Sequence, residues 1–587
     1  MKAINLLAPF ERLADRTLER VPGRRLYPAL LGALVLLGFL PMLVFPGFPN
    51  GHDSFYHISR LVTLREGFRA GEFLPLINFD AIGGYGYGPG LFYSDLYFYP
   101  FGLLAAAGLP VVWAYKLFLV TWGLLTAYSM YWVAKRISGD EFAGFAAGLL
   151  YCWSSYYACD VIIRAAVGEV TAFLFVPWCV YGLWSALYAE AEDRSCLPLA
   201  LGYAGLFYAH NITFVLMSII GGIIIAFNAP ALLRDLRRVG TLAAAGILAA
   251  ALAAFAWAPL LEQIAGLKFN LTKATLHSPI ADRMVPFPQL FLELPYMKLE
   301  WWHPPGIGII FVIVFLQRFR LKSERTPTER FRDLCMVTAF ASLISASEFL
   351  PWQGMMSALA AIQFPWRFYM PATAFAALAG GLLLSALLAG RSNAARRTWL
   401  WILLCGCAFP WWFLHCYLYA AKISEHEIHR DVSREQAARS IMSGVHFLPQ
   451  GRVDGDYDGL GGKTPVTSDN PDSTATAEVV ASGWNRLEIK FSGFQNQHHD
   501  AFEIPRVYYK GYRVETEKGG GIDIVDQEHF LFRPNASEGV AVVKYRMTTL
   551  HLVSFFVSFF TLDFVILLFS LRRRRAKRAK TEAVPAG

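Results

Sequence analysis

Apolar runs of membrane-crossing length, each closed by arginines or lysines, decide what this chain can become. The first, Tyr27 to Phe45, ends at Pro46, and about 20 helical residues are what a hydrocarbon core about 30 Å thick requires. No small-residue cleavage site follows, so it reads as a retained span and not as a signal peptide. Val111 to Ala134 ends at Lys135 and Arg136, Phe142 to Tyr157 returns, and Val170 to Ala189 comes back to Glu192, Asp193 and Arg194. Leu197 to His210 and Ile212 to Leu233 form a hairpin closing at Arg234, Arg237 and Arg238. Further basic clusters lie at Arg318 to Arg332, Arg391 to Arg397 and Arg572 to Lys580. Because Lys and Arg stay on the cytoplasmic side, these clusters imply about twelve spans with both chain ends inside. A missed span would put one cluster outside, so the assignment is self-consistent. Met1 to Arg25, where leucines alternate with arginines, reads as an amphipathic segment on the cytoplasmic surface.

Composition agrees with this class. Hydrophobic residues make up 55% of the 587 and charged residues only 17%, too apolar a balance for a soluble protein. The net charge of +8 follows from topology and implies no nucleic-acid partner. No Walker loop or dinucleotide fingerprint is present. Eight cysteines (Cys152, Cys159, Cys179, Cys196, Cys335, Cys405, Cys407, Cys416) sit mostly singly in apolar runs, without zinc-ligand spacing, and read as core packing.

Two stretches break the pattern. Gly67 to Pro110, containing PLINFDAIGGYGYGPGLFYSDLYFYP, reads as a long external loop, partly re-entrant, with aromatics at headgroup depth. Between Leu418 and Leu550, short alternating segments (TATAEVVAS, NRLEIKFSG, FEIPRVYYKGYRVETE, GIDIV, HFLFRP, VAVVKY) are separated by turn residues, as in a small β-sandwich. Gly451 to Pro471 is loop-like, and Leu552 to Leu571 supplies a last span.

The polar residues embedded in apolar context fall at the outer ends of spans. In GHDSFYHISR, directly after the first span, helical spacing would put Asp53, His57 and Arg60 on one face at i, i+4 and i+7, with His52 beside them. Arg164 and Glu169 sit in the turn before an inward-running span, His210 and Asn211 at a hairpin tip, and Arg367 just after Pro365 in the first turn of another helix. Ionisable groups at membrane depth cost several kcal/mol unless they pair or line a cavity, so their coincidence on one side points to one outward-facing site. Taken singly, each has a plainer role: an N-terminal helix charge for Glu169, a buried hydrogen-bonded imidazole for His210, snorkelling to headgroups for Arg367.

GHDSFYHISR, the Gly/Tyr-rich loop, RAAVGE, AHNIT, QFPWRF and the terminal IPRVYYKGYRV together resemble the bacterial membrane proteins labelled 6-pyruvoyl-tetrahydropterin-synthase-related. That family is similar to the GT-C superfamily of integral-membrane glycosyltransferases, and the resemblance covers nearly the whole chain. It implies a polytopic α-helical membrane protein of about twelve spans, GT-C-like, with a C-terminal extracytoplasmic β-sandwich domain. The chain then divides into a cytoplasmic segment (1–26), a GT-C-like transmembrane domain (27–420) with a first external loop (47–110), an extracytoplasmic β-rich domain (421–550), a final helix (551–571) and a basic tail (572–587). The implied activity is transfer of a sugar from a polyprenyl-phosphate carrier to a glycan, lipid or protein acceptor outside the bacterial cytoplasmic membrane. An acidic residue in the first external loop is the superfamily's shared pattern. Several members carry a pair there, whereas Asp53 has serine and histidine neighbours, which leaves a divalent metal open.

The residues suit that chemistry. Inverting transfer needs a carboxylate to take the acceptor's proton, which is Asp53, and cations to hold the departing phosphate, which are Arg367, Arg164 and Arg60. His57 and His52, with Glu169 and His210, are supporting groups, and Asp53 with His57 is the pair that could hold a metal. Two other classes fit a polytopic chain: a lipid or polysaccharide transporter, which favours internal repeats and midplane charges, and a non-catalytic envelope assembly protein working through its outer domain.

Overall fold

A computed structural model describes residues 22–45, 47–48, 51–270, 284–291, 306–322, 326–350, 362–408, 411–412, 432–440, 448–449, 464–495, 498–525 and 529–582. The expectations for residues 1–21, for Cys416 and for most of the Gly451 to Pro471 loop lie outside these. The helices used below run, in chain order, α1 Gly23–Gly38, α2 Ser54–Arg69, α3 Val111–Ser138, α4 Glu141–Cys152, α5 Ser155–Ile162, α6 Val167–Leu187, α7 Leu197–Ala209, α8 Asn211–Phe227, α9 Leu236–Leu252, α10 Ala254–Gly266, α11 Pro327–Ala346, α12 Tyr369–Leu388 and α13 Thr549–Glu582.

The chain is mostly helical with a C-terminal β-rich region. Among the described residues four helices are long and apolar enough to cross a membrane: α3, α6, Pro365–Leu388, which runs into α12, and the first 23 residues of α13. α9 and α10 pass the same test as a pair bent by 69°. Other expected spans are realised as shorter pieces. Phe142 to Tyr157 is interrupted at Trp153 and Ser154, where the Ser154 hydroxyl accepts from the Tyr157 amide at 3.3 Å and so caps α5.

Two compact units result, residues 1–74, 95–242 and 274–443 forming one and 75–94, 243–273 and 444–587 the other. In the first, α6 packs against α7 and α3, and α12 against α11 and α4. Without a hydrophobic drive between helices in lipid, close backbone approach through small residues provides the attraction. α4 does this with Gly144 and Gly148, where an added Cβ would stand 2.8 Å from Tyr131 O and 2.9 Å from Ala127 O. On its other side α12 offers Gly381, where an added Cβ would meet Ala143 O at 2.6 Å.

The second unit holds two four-stranded antiparallel sheets, in the orders β1-β4-β7-β6 and β2-β3-β8-β5. The strands are β1 Val466–Thr467, β2 Thr476–Gly483, β3 Arg486–Ser492, β4 Ala501–Glu503, β5 Tyr512–Glu515, β6 Gly520–Val525, β7 His529–Pro534 and β8 Glu538–Tyr545. Alternation predicts this arrangement: Leu487, Ile489 and Phe491 of β3 are buried between exposed or half-buried neighbours. Phe491 stacks on Phe502 of β4 at 5.7 Å, joining the two sheets, and Phe502 meets Phe532 of β7 at 5.6 Å. The stretch 505–512 grips the Gly/Tyr-rich loop: Val507 N–H donates to Tyr85 O at 2.9 Å, Arg506 donates to Gly84 O, and Gly88 N–H donates to the Tyr509 hydroxyl at 3.1 Å. Gln263 of α10 exchanges two hydrogen bonds with the Lys510 backbone, both 2.9 Å. Thus IPRVYYKGYRV holds this unit's separate stretches together.

Candidate functional site

The Asp53 segment does turn helically. Asp53 is the N-cap of α2, and His57 N–H donates to its carbonyl at 3.0 Å. The segment entering the helix lies along the turn between α5 and α6: His52 N–H donates to Ile163 O at 2.9 Å and Asp53 N–H to Arg164 O at 3.0 Å. Only glycine permits this approach at position 51, because a Cβ there would stand 2.8 Å from Ile162 O and 2.9 Å from Ile163 O. The backbone therefore brings Asp53 beside Arg164, 111 positions away in sequence.

Around that contact lies a charged network in the helical unit. Glu169, in the first turn of α6, is buried and accepts on Oε1 from Arg164 Nη2 at 2.7 Å and from Arg367 Nε at 3.1 Å. Its Oε2 accepts from the Tyr156 hydroxyl at 2.5 Å. Arg164 Nη1 also donates to Tyr156 Oη at 3.0 Å and pairs with Asp160. Arg367 Nη1 donates to Ile362 O and Gln363 Oε1, both at 2.7 Å. Among the described residues, Arg164 Nε and Arg367 Nη2 have no protein partner. Both arginines lie near backbone held at positive φ, Ala165 at 51° and Gln363 at 65°, the kind of strain that collects at functional sites.

Asp53 differs from the other acids. Its side chain is exposed, and among the described residues its carboxylate accepts no hydrogen bond. Protein crowds it closely enough that desolvation pushes its pKa up to about 6, against the pull of Arg164 and Arg367 and with Glu169 adding to the rise. An open, unpaired carboxylate with a pKa near neutrality is poised to accept a proton.

Arg60 stands apart from this network. Its Nε and Nη2 are both 2.7 Å from Asp95 Oδ1, and its Nη1 is 3.0 Å from His57 Nδ1. With those donors engaged and its side chain buried, Arg60 is withdrawn from the phosphate-binding set. A guanidinium only donates, so the contact assigns His57 Nδ1 as acceptor and its proton to Nε2. Burial first, then Arg60 and His210, hold His57 well below its ordinary pKa. This fits poorly with a metal on His57 Nδ1, and among the described residues no group of three or more His, Cys, Asp or Glu comes together to hold one. His210 caps α8, with its Nδ1 2.8 Å from the Thr213 hydroxyl, while sharing the electrostatic neighbourhood of Arg367, Glu169 and Arg164.

Sequence reasoning missed Asp95, Asp160, Tyr156 and Gln363. Asp160 had a legible signal, since it stands at i, i+4 from Arg164 on the preceding helical turn. Asp95 had none, being buried among aromatics 35 positions from Arg60.

No family model matches the chain. An uncharacterized protein of Lactococcus lactis subsp. cremoris (strain MG1363) is 22% identical over 336 residues, covering 54% of each chain. The chain thus spans about half the length of the curated relative it matches. Among solved structures, the apo oligosaccharyltransferase of Archaeoglobus fulgidus aligns with 67% of this chain and 56% of its own, at 12% identity and a TM-score of 0.37. Likeness at that level carries no argument.

Proposed function

We propose that this protein is a GT-C-type membrane glycosyltransferase that moves a sugar from a polyprenyl-phosphate carrier to an envelope glycan, lipid or protein acceptor on the outer side of the bacterial cytoplasmic membrane. The observation that carries the reading is Asp53: an exposed carboxylate without a hydrogen-bond partner among the described residues, set in the field of Arg164 and Arg367. Asp53 takes the proton of the acceptor hydroxyl, the acceptor oxygen attacks the anomeric carbon, and the carbon–oxygen bond to the carrier phosphate breaks with its electron pair leaving on that phosphate. The unsatisfied N–H groups of Arg367 Nη2 and Arg164 Nε are available to the departing phosphate, which needs no general acid. About twelve spans and an outward-facing β-domain complete the reading.

The test is sugar transfer by purified full-length protein from a panel of synthetic short-chain polyprenyl-phosphate monosaccharides into inner-membrane vesicles. Asp53→Asn should lower turnover by about 10²–10⁴-fold, the range for loss of a general base, with expression and thermal stability retained. A transporter or an assembly scaffold would tolerate that substitution, and full function of Asp53→Asn in the envelope would sink the enzyme reading.

A further inference from the structure

Beside Arg367 stands a group that sugar transfer has not yet used, the side-chain amide of Gln363. A guanidinium carries five N–H bonds and accepts none. Arg367 gives its Nε hydrogen to Glu169 Oε1 and both Nη1 hydrogens to Ile362 O and Gln363 Oε1, which leaves only those on Nη2. Its Cζ lies over the Phe364 ring at 4.9 Å, so one face of the guanidinium is covered as well. Because Arg367 only donates, the 2.7 Å contact assigns the amide oxygen of Gln363 to it, and not the amide nitrogen. Nε2 shares a carbon with that oxygen, which keeps it within about 5 Å of Arg367 Nη1. Nε2 has no hydrogen-bond partner among the described residues, and Gln363 is half-buried, which leaves the amide open to a ligand.

The backbone holds this amide in place at a cost. Gln363 keeps φ at 65°, a region that non-glycine residues rarely adopt, and strain of that kind is retained where it places a group for use. Three donors, Arg164 Nε, Arg367 Nη2 and Gln363 Nε2, are thereby gathered around Glu169 without protein partners among the described residues. We propose that Gln363 binds the carrier phosphate directly, its Nε2 donating to one phosphate oxygen while Arg367 Nη2 donates to another, a role that rests on the glycosyl-transfer reading. A phosphate suits this pair because it carries several acceptor oxygens on one atom. The same contact is made to the phosphodiester of the donor and to the phosphate left after transfer, so it acts on KM more than on kcat.

Gln363→Met in the full-length protein tests this with the same donors and vesicles, together with inhibition of transfer by sugar-free short-chain polyprenyl phosphate. The KM for the donor and the inhibition constant should both rise about 10- to 100-fold, the effect of losing a hydrogen bond to a charged group, with kcat nearly unchanged. Gln363→Gly, which removes the amide and relaxes the positive φ, should show the same rises. Repeating Gln363→Met in an Arg367→Lys background separates contact from positioning. A direct contact keeps its effect there, whereas a residue that acts only by holding the Arg367 fork has nothing left to hold. Unchanged constants in either single variant, or no further rise in the Arg367→Lys background, would overturn the proposal. If those constants stay at wild type while Asp53→Asn is inactive, the role of Gln363 alone falls. If the wild type transfers no sugar, or Asp53→Asn keeps full turnover, the enzyme reading falls and this proposal with it.

Discussion

Arg60 gives three nitrogens to a single carboxylate oxygen and one imidazole, while Arg164 and Arg367 converge on one oxygen of Glu169 and each keeps an N–H donor without a protein partner among the described residues. Both arrangements are buried, both belong to the helical unit, and both use residues that sequence places at the outer ends of spans. The first is closed, and a closed buried ion pair holds two segments together without offering anything to a ligand. The second is open, because two cations meet one hub and the nearby acid, Asp53, pairs with neither. On the function proposed above, the structural cluster and the working one differ in the count of unsatisfied groups left after pairing, and not in the residue types present.

The largest effect should come from the hub. Glu169→Ala removes the carboxylate shared by two arginines, leaving Arg164 with Asp160 and Arg367 with only the neutral acceptors Ile362 O and Gln363 Oε1 among the described residues, and breaking a buried pair costs about 3–5 kcal/mol. Loss of folded protein in detergent is the expected outcome, and a wild-type thermal midpoint would break the comparison at its root. Asp95→Asn keeps an acceptor oxygen but removes the counter-charge of the buried Arg60, and should cost about 3 kcal/mol. The double substitution Arg60→Met with Asp95→Leu should recover most of that stability and leave sugar transfer nearly intact, since closed pairs are replaceable by packed apolar groups. Transfer lost in a stable double variant would show that the Arg60 cluster is open after all. Arg367→Lys keeps the charge and loses the fork, so turnover should fall about tenfold at unchanged stability; equal turnover would remove Arg367 from the phosphate site and leave it as an anchor.

Smallest is the effect of pH on stability through Asp53. Its pKa in the folded protein, about 6, stands above the ordinary carboxylate value, so the folded state binds the proton more tightly than the unfolded chain. The sign follows: this residue's contribution is fully present below pH 4 or so and is lost as pH rises through about 6. Asp53→Asn should therefore raise the thermal midpoint slightly at pH 7 and not at pH 4, an effect kept small by the exposure of the side chain. Activity runs the opposite way, falling as pH drops below about 6 because the base is then protonated.

Much of this was legible in the sequence. The period-two alternation of 474–545 predicts the strands, since a sheet buries every other residue wherever it is placed. If the segment is helical, the i, i+4, i+7 spacing puts Asp53, His57 and Arg60 on one face; the helix forms, but Asp53 is its cap, with its backbone N–H on Arg164 O, while Arg60 turns to Asp95. Which carboxylate closes which arginine was not legible, because Arg367 and Glu169 meet across 198 positions and no local pattern encodes that distance. The same limit applies to spans: an apolar run such as Phe142 to Tyr157 reads as continuous, whereas a single serine hydroxyl suffices to start a new helix within it.

The order of synthesis gives the grip of Arg506 on Gly84 a further meaning. The two residues are 422 positions apart, and a ribosome adding about 5–20 residues per second needs roughly 20–80 s to travel between them. For that interval the Gly84 and Tyr85 carbonyls wait without their native donors, in a stretch dense with aromatic rings. The grip can therefore close only after the chain as far as Arg506 has emerged, so the loop's final pairing is among the late steps in the making of this protein.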